Sequence, residues 1–275
     1  LATEPDANVD YTTAAELTFA EGLGGKLGII NGNIEVKQTS TMDATKLAAV
    51  LAKIKTVTGT VTYTAKGTSV TPTAGFTNLT SSTDLTVDAD GDISFPKLAS
   101  AAVVTLKDNV KTTKVSFPVL ASVTSVNGTT AHSVNLTQAT GFDMGALAHY
   151  TTSSLGITIK SGLVNLDALM STKKDEPTVD QITALTVSGA TELSIDALEK
   201  GKIIANKVAE VKFPKWQGTT DSKFAKATTV VLPSIVAAAQ SDDYVLQTMF
   251  ENASSIHIIG ASKALSTTTS AQISV

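Results

Sequence analysis

Three carboxylates at alternate positions, Asp88, Asp90 and Asp92, come nearest in this sequence to the spacing of a chemical site. Calcium loops use such alternation because the ion takes about six to eight oxygen ligands, and alternate residues of an extended chain share one face. Gly91 stands at the fourth position of the run, whereas calcium loops place glycine at the sixth, and no glutamate follows at the twelfth. The sequence therefore favours a solvated turn, with a weak calcium site as the alternative.

The histidines and the other acidic residues are not spaced as in a metal site or a catalytic site. His132, His149 and His257 have no metal-ligand spacing with one another, and no G-x-S-x-G run supports a serine nucleophile. The acidic pairs Asp175-Glu176 and Asp242-Asp243 have adjacent side chains, which diverge in a strand or on a helix, so we interpret them as solvated charge. We therefore expect a protein that is not an enzyme and that has no cofactor beyond the calcium considered above.

Two tyrosines are candidates for contact with a ligand. Tyr63 and Tyr150 could present an aromatic ring to a sugar or to a protein partner, together with lysine-bearing loops. Trp216 is also aromatic, but it takes a leucine position in the repeat described next, so we interpret it as a core residue. The sequence thus predicts Tyr63 and Tyr150 as binding residues without specifying the ligand.

A short unit recurs in the chain and predicts its architecture. Ile-Ser-Phe-Pro-Lys-Leu-Ala-Ser at 93–100 is followed by Val-Ser-Phe-Pro-Val-Leu-Ala-Ser at 115–122, with a weaker copy, Val-Lys-Phe-Pro-Lys-Trp, at 211–216. The prolines of the first two copies are 118 − 96 = 22 residues apart, a period typical of solenoids. The repeat positions are Phe95, Pro96, Leu98, Phe117, Pro118, Leu120, Phe213, Pro214 and Trp216.

The repeat predicts one short strand per coil, with inward side chains stacked on those of the coils before and after. Phenylalanine fills a corner of the core, proline ends the strand because it cannot donate to the ladder, and leucine points back inward. The predicted strand cores are 29–36, 57–63, 85–87, 103–106, 134–136, 157–159, 185–187, 208–211, 230–232 and 256–259. We expect a right-handed, leucine-rich β-solenoid of roughly ten coils over residues 29–275.

Some coils are expected to carry short helices. Asp43 is placed to cap a helix with Leu47, Val50, Leu51 and Ile54 on one face. Further helices are predicted at 194–200, 233–239 and 244–250. Residues 1–28 do not fit the repeat, although 16–20 alternate as a strand does. We expect this segment to cap the first coil or to pair with another subunit.

The first coils resemble a known family. Gly-Asn-Ile-Glu-Val at 32–36, a helix, and then Lys-Thr-Val-Thr-Gly-Thr-Val-Thr-Tyr at 55–63 are similar to the opening coils of receptor L domains, the leucine-rich β-helix modules of growth-factor receptors. The Ser-Phe-Pro-x-Leu-x-Ser-Val unit resembles related modules in fungal cell-wall proteins and in surface proteins of Bacteroidota. The resemblance covers residues 29–126 and implies a solenoid on a cell surface.

Composition narrows the classes of partner. The 21 basic residues are all lysine, cysteine is absent, and the net charge is −4. Arginine is the usual bidentate ligand of phosphate, so its absence together with a negative charge argues against nucleic acid. No apolar run reaches the ~20 residues of a membrane helix, and Leu1 is not a natural start, which indicates a processed chain.

These observations predict an extracellular or cell-surface protein with a structural or adhesive role. Its expected partner is a further copy of itself, joined end to end through terminal strands into a filament or layer. The alternative is a monomeric module that binds a cell-surface glycan or protein. A polysaccharide-cleaving enzyme ranks last, because no credible pair of carboxylates is present.

Overall fold

The structure is a computed structural model. It describes residues 9–11, 28–67, 70, 75–107, 111–112, 114–128, 130–150, 152, 154–169, 184–198, 202–205, 210–212, 229–233, 255–259 and 272–274. Several predicted features lie outside these ranges: the repeat residues Phe213, Pro214 and Trp216, the strand at 16–20 and the helix at 244–250. Of the predicted helix at 233–239, only residue 233 is described.

The described residues form short strands and one short helix. The elements of the first half are β1 (Val9–Tyr11), β2 (Ile29–Ile30), β3 (Ile34–Gln38), α1 (Ala44–Leu51), β4 (Thr56–Val57), β5 (Thr60–Ala65), β6 (Asp84–Ala89), β7 (Ile93–Ser94), β8 (Val103–Leu106), β9 (Val115–Ser116), β10 (Ser122–Val123), β11 (Ser125–Asn127) and β12 (Ser133–Leu136). Those of the second half are β13 (Gly141–Asp143), β14 (His149–Tyr150), β15 (Ser154–Ile159), β16 (Leu163–Asn165), β17 (Ala184–Ser188), β18 (Glu192–Ser194), β19 (Lys202–Ala205), β20 (Glu210–Lys212), β21 (Thr229–Pro233), β22 (Ser255–Ile259) and β23 (Gln272–Ser274).

The strands assemble into parallel sheets. Sheet I has the order β1-β3-β5-β6-β8-β11, and sheet II has the order β12-β15-β17-β19. Sheet III has the order β18-β16-β13-β9-β7, and sheet IV has the order β20-β21-β22-β23. A further narrow ladder contains β2-β4 and β10-β14, which single bridges through Thr56, Ser81, Ser100 and Ser122 connect. Parallel strands of stacked sheets, visited in turn by the chain, are consistent with the predicted β-solenoid.

One coil of the chain runs from a strand of sheet I or II to the next strand of the same sheet. The pairing of Leu185 with Ile203 gives the shortest advance in sheet II, 203 − 185 = 18 residues, and Leu155 with Leu185 gives the longest, 185 − 155 = 30. Sheet I ends at β11 and sheet II begins at β12 in the same coil, after a turn that contains His132 in the left-handed region (φ 57°).

The core lies between the sheets and follows the alternation of the strands. Ile34, Val61, Leu85, Val104 and Val126 are register neighbours in five successive strands of sheet I, and all are buried. Such columns arise because side chains alternate between the two faces of a strand, so parallel pairing stacks apolar positions on one another. With the exception of Met42, the buried apolar residues of the described coils form one continuous cluster.

An aromatic stack runs through the core of the first coils. The ring centroids of Tyr63 and Phe76 are 6.1 Å apart, those of Phe76 and Phe95 5.8 Å, and those of Phe95 and Phe117 5.3 Å. The planes of the Phe95 and Phe117 rings are almost parallel, with an interplanar angle of 3°. The Phe-Pro-x-Leu copies therefore do place their phenylalanines in equivalent core positions.

The predicted helix after Asp43 is α1. The Asp43 carboxylate accepts hydrogen bonds from the amides of Thr45 (2.9 Å) and Lys46 (3.1 Å), which stabilises the first turn. Leu47, Val50 and Leu51 are buried, as is Ile54 just beyond the helix. By contrast, the helix predicted from Ser194 is wrong over the described residues, where β18 ends in a turn.

The N-terminal strand β1 pairs with β3 of the same chain, from Val9–Ile34 to Tyr11–Val36. This backbone pairing adds one strand to the edge of sheet I. No helix in the described part of the chain has the length and apolar content to cross a membrane.

Candidate functional site

The acidic run predicted as a turn or a calcium loop lies between β6 and β7. Asp88 is the last outward residue of β6, and its Oδ1 lies 2.7 Å from the Lys66 ammonium. Asp90 Oδ2 accepts a hydrogen bond from the Gly67 amide (3.1 Å) and lies 3.9 Å from the Lys111 ammonium. Each of these carboxylates therefore has a cation of a neighbouring coil beside it.

The third carboxylate faces the following coil. Asp92 Oδ1 accepts a hydrogen bond from the amide of Lys114 (2.9 Å). Next to it, the buried hydroxyl of Thr112 donates to the carbonyl of Ala89 (3.1 Å). The turn is thus bonded to the coil before it through Lys66 and Gly67. It is bonded to the coil after it through Lys111, Thr112 and Lys114.

The structure does not bring Asp88, Asp90 and Asp92 together as ligands of one ion. Within the ranges described, no group of three or more His, Asp or Glu side chains is close enough to hold a metal. The physical reason is that the carboxylates are engaged by groups of the flanking coils: Asp88 by Lys66, Asp90 by Gly67 and Lys111, and Asp92 by Lys114. Of the two interpretations that the sequence left open, the geometry therefore favours the turn.

Tyr63, predicted as a binding residue, lies in the core instead. It is 5% exposed, and its hydroxyl donates to Oε1 of the buried Gln38 (2.8 Å). Its ring meets Phe76 edge to face. A stacking contact with a sugar needs an exposed ring face, which Tyr63 does not offer.

Tyr150 is likewise a core residue. It is 1% exposed and follows His149 in the narrow ladder, with its hydroxyl donating to the carbonyl of Ser154 (3.2 Å). Burial raises the pKa of Tyr150 to about 12, against the opposing effect of hydrogen bonds with Val126 and Thr152. Neither predicted tyrosine presents a binding face.

The outward face of sheet I carries hydroxyl groups in register. Thr62, Thr86 and Thr105 are direct neighbours on β5, β6 and β8, and all are half-buried. Neighbouring strands lie about 4.8 Å apart, so this column, which we call the threonine ladder, repeats at that distance. Sequence reasoning missed it, although the alternating Thr-Val-Thr-Tyr-Thr of β5 is its visible signal.

Other threonines connect successive coils at their corners. Thr80 Oγ1 donates to the carbonyl of Lys55 (2.8 Å) and Thr83 Oγ1 to that of Thr58 (2.6 Å), each 25 residues back in the chain. Thr152 Oγ1 donates to the carbonyl of Thr124 (2.7 Å) in the same way. These three threonines therefore have a structural role, because each hydroxyl adds a hydrogen bond between successive coils, and the Lys55 carbonyl also accepts from the Thr80 amide (2.7 Å).

The repeat unit is broader than the sequence suggested. In the two Phe-Pro-x-Leu copies, the leucine amide donates to the phenylalanine carbonyl (3.3 Å in each). The same turn recurs without phenylalanine or proline, at Met144–Leu147, Leu166–Leu169 and Ile195–Leu198. Two buried apolar side chains three positions apart are the signal that would have found these copies.

A small pocket lies beside the aromatic stack, and Phe76, Phe95, Asp92 and Ser94 are among its lining residues. Its volume is about 10 Å³, close to the minimum that one water molecule needs. An organic ligand does not fit in a space of this size.

The histidines are dispersed. His132 lies in the turn between β11 and β12, where Asn127 Oδ1 accepts a hydrogen bond from its amide (2.8 Å). His149 is exposed in β14, and the backbone of His257 pairs with Val231 and Ser274 in sheet IV. His132 and His149 are 149 − 132 = 17 residues apart in the chain. Among the described residues, no group of three or more His, Asp or Glu side chains could hold a metal ion.

Comparisons of the chain with models of protein families, with curated proteins and with solved structures gave no match. The architecture is therefore established at the level of parallel strands in stacked sheets, and no family is identified. The similarity to receptor L domains stays a prediction from the sequence.

Proposed function

We propose that this protein is a non-enzymatic structural or adhesion protein of the cell surface, which joins to further copies of itself end to end. Its architecture would be a leucine-rich, right-handed β-solenoid of about ten coils, related to receptor L domains. The location outside the cell rests on the sequence alone, namely on a long chain without cysteine whose repeat resembles surface proteins.

The observation that supports self-assembly is the common direction of the strands. Every pair of described strands in sheets I to IV is parallel, so the two ends of each sheet offer edges of the same polarity. Among the described strands, β1 is one of the two outer strands of sheet I, and β23 is one of the two outer strands of sheet IV. An open edge can accept a strand from another molecule, and a parallel addition continues the existing ladder without a change of direction.

The experiment compares three chains: the full chain, a truncation that removes residues 1–8, and a truncation that removes residues 1–20. The shorter truncation stops before β1, whereas the longer one removes it. Light scattering and negative-stain electron microscopy, each with and without calcium, report assembly, and far-UV circular dichroism reports the fold.

Filaments or layers of the full chain and of the 1–8 truncation, with folded monomers of the 1–20 truncation, are expected. Ordered assemblies that survive the loss of β1 would refute joining through this strand. A compact monomer of the full chain in all conditions would refute self-assembly and favour the second candidate.

The second candidate is a monomeric module that binds a glycan. The threonine ladder favours it, because hydroxyl groups at a regular spacing of about 4.8 Å can exchange hydrogen bonds with successive sugars of an extended polysaccharide. Binding of insoluble polysaccharides by the full chain, lost when Thr62, Thr86 and Thr105 are all replaced by valine, would support it. Equal binding by both proteins, or binding by neither, would contradict it.

A further inference from the structure

The turn Asp88–Asp92 takes part in no proposed contact with a partner. It makes hydrogen bonds and ion pairs with the coil before it and with the coil after it. On one side lie Lys66 and Gly67, directly after β5. On the other side lie Lys114, directly before β9, and Lys111, three positions earlier. Three successive coils therefore meet at one corner of the fold, where the connection from β6 to β7 is only three residues long.

Asp90 is the residue common to both sides. Its Oδ2 atom accepts from the Gly67 amide at 3.1 Å and faces the Lys111 ammonium at 3.9 Å. Its own amide donates to the carbonyl of Ala65 (2.8 Å), which fixes the backbone of the turn against β5. The carboxylate itself is only 14% exposed, so solvent screens these contacts less than it screens an open surface pair.

We propose that Asp88, Asp90 and Asp92 form a clasp that holds the corners of the two flanking coils, so that loss of the Asp90 carboxylate loosens both corners together. The two lysine side chains are about half exposed, and either ion pair alone would contribute little. The coupling comes from the geometry, because one oxygen atom serves an amide of one coil and a cation of the other.

The composition of the chain makes a direct test simple. Trypsin cleaves after lysine and arginine, and this chain has lysine only. Cleavage after Lys66 and after Lys111 therefore reports the two corners, which are 111 − 66 = 45 residues apart in sequence. The full chain and the Asp90→Asn variant are digested briefly under native conditions, and mass spectrometry measures the initial rate at each bond.

A matched control is Asp84→Asn, which removes a carboxylate from the same outward face of β6 without touching the clasp. We expect Asp90→Asn to raise the initial cleavage rate at both bonds by about 5-fold, and Asp84→Asn to change neither. Circular dichroism confirms that both variants are folded before digestion.

Acceleration at one bond only, or at neither, would overturn the proposal. A second measurement needs no variant. Raising the salt concentration weakens ion pairs, so hydrogen exchange of the unmodified chain should increase at the amides of Gly67 and Lys114 over the same salt range. Exchange that responds at one of these amides and not at the other would also contradict a shared clasp.

Discussion

Phe117 is the best-defined packing residue of the repeat. It is fully buried, and its ring stacks on that of Phe95 in the preceding coil. Because each ring of the stack supports the next, removing one ring leaves a cavity that the neighbouring coils cannot close without moving the ladder.

We predict that Phe117→Ala lowers the free energy of unfolding by about 3–5 kcal/mol. The matched control is Val119→Ala in the same turn, since Val119 is 42% exposed and its truncation should cost less than about 0.5 kcal/mol. Urea unfolding followed by far-UV circular dichroism measures both. Similar losses for the two variants would show that the stack does not have the assigned role.

Tyr150 predicts a dependence on alkaline pH. Its folded pKa is about 12, whereas a free tyrosine ionises near ~10, so only the unfolded state loses this proton between the two values. The contribution is complete below pH ~10 and is lost as pH rises toward about 12, by an amount of about 2–3 kcal/mol.

The measurement is the stability of the chain and of Tyr150→Phe across this range. The variant keeps the ring and removes the titrating group, so its stability should fall less steeply above pH ~10. Parallel curves for the two proteins would contradict the assignment. Absorbance titration gives an independent reading of the delayed ionisation.

Individual contacts were the hardest part to predict from the sequence. The partner of Asp88 is Lys66, one coil earlier, and nothing local specifies that pairing. Tyr63, in contrast, has the same parity along β5 as the buried Val61, so strict use of the alternation would have placed it in the core.

At the scale of elements, glycine at the corners sets where a coil can turn. Gly162 has φ +88°, and a Cβ atom there would collide with the carbonyl of Thr140 in the preceding coil. Gly141 lies on β13 in the adjacent coil, and a Cβ atom there would meet nothing within 4 Å. The two positions differ in conformation and in free space.

We therefore predict that Gly162→Ala destabilises the fold by at least about 2 kcal/mol, because it combines backbone strain with a clash. Gly141→Ala should be neutral or slightly stabilising, since it restricts the unfolded chain without a native clash. Thermal unfolding of the two variants measures the difference. A loss for Gly141→Ala as large as that for Gly162→Ala would contradict this explanation.

Strands were predicted well, because parallel stacking requires the alternation that the sequence displays. The strand cores predicted at 85–87, 103–106, 134–136 and 157–159 lie within β6, β8, β12 and β15. The helix at 194–200 was predicted wrongly over its described residues, 194–198, since the apolar spacing of three that indicates a helix also describes the turn from Ile195 to Leu198.

At the scale of the whole molecule, one face of the fold is divided into two sheets, because sheet I ends at β11 and sheet II begins at β12. Sheet III continues across this point, because β9 pairs with β13, and the narrow ladder continues from β10 to β14. The core cluster is likewise continuous. Sheet III and the narrow ladder therefore hold the described coils together at the point where sheet I ends and sheet II begins.

We predict that sheets I and II unfold in one transition. Hydrogen exchange during a urea titration, read on peptides from β6 and from β15, should give the same midpoint. Separate midpoints would mean that the break in one face is sufficient to uncouple the coils, as happens in long repeat arrays.

The parallel ladder also has a mechanical consequence. Hydrogen bonds between coils run along the stacking direction, so tension applied to the two ends separates the coils one at a time and does not have to break all the ladders together. Each released coil of about 22 residues would add roughly 75 Å of extended chain. Such a molecule would lengthen in small repeated steps under force, and it would dissipate mechanical work over a long extension.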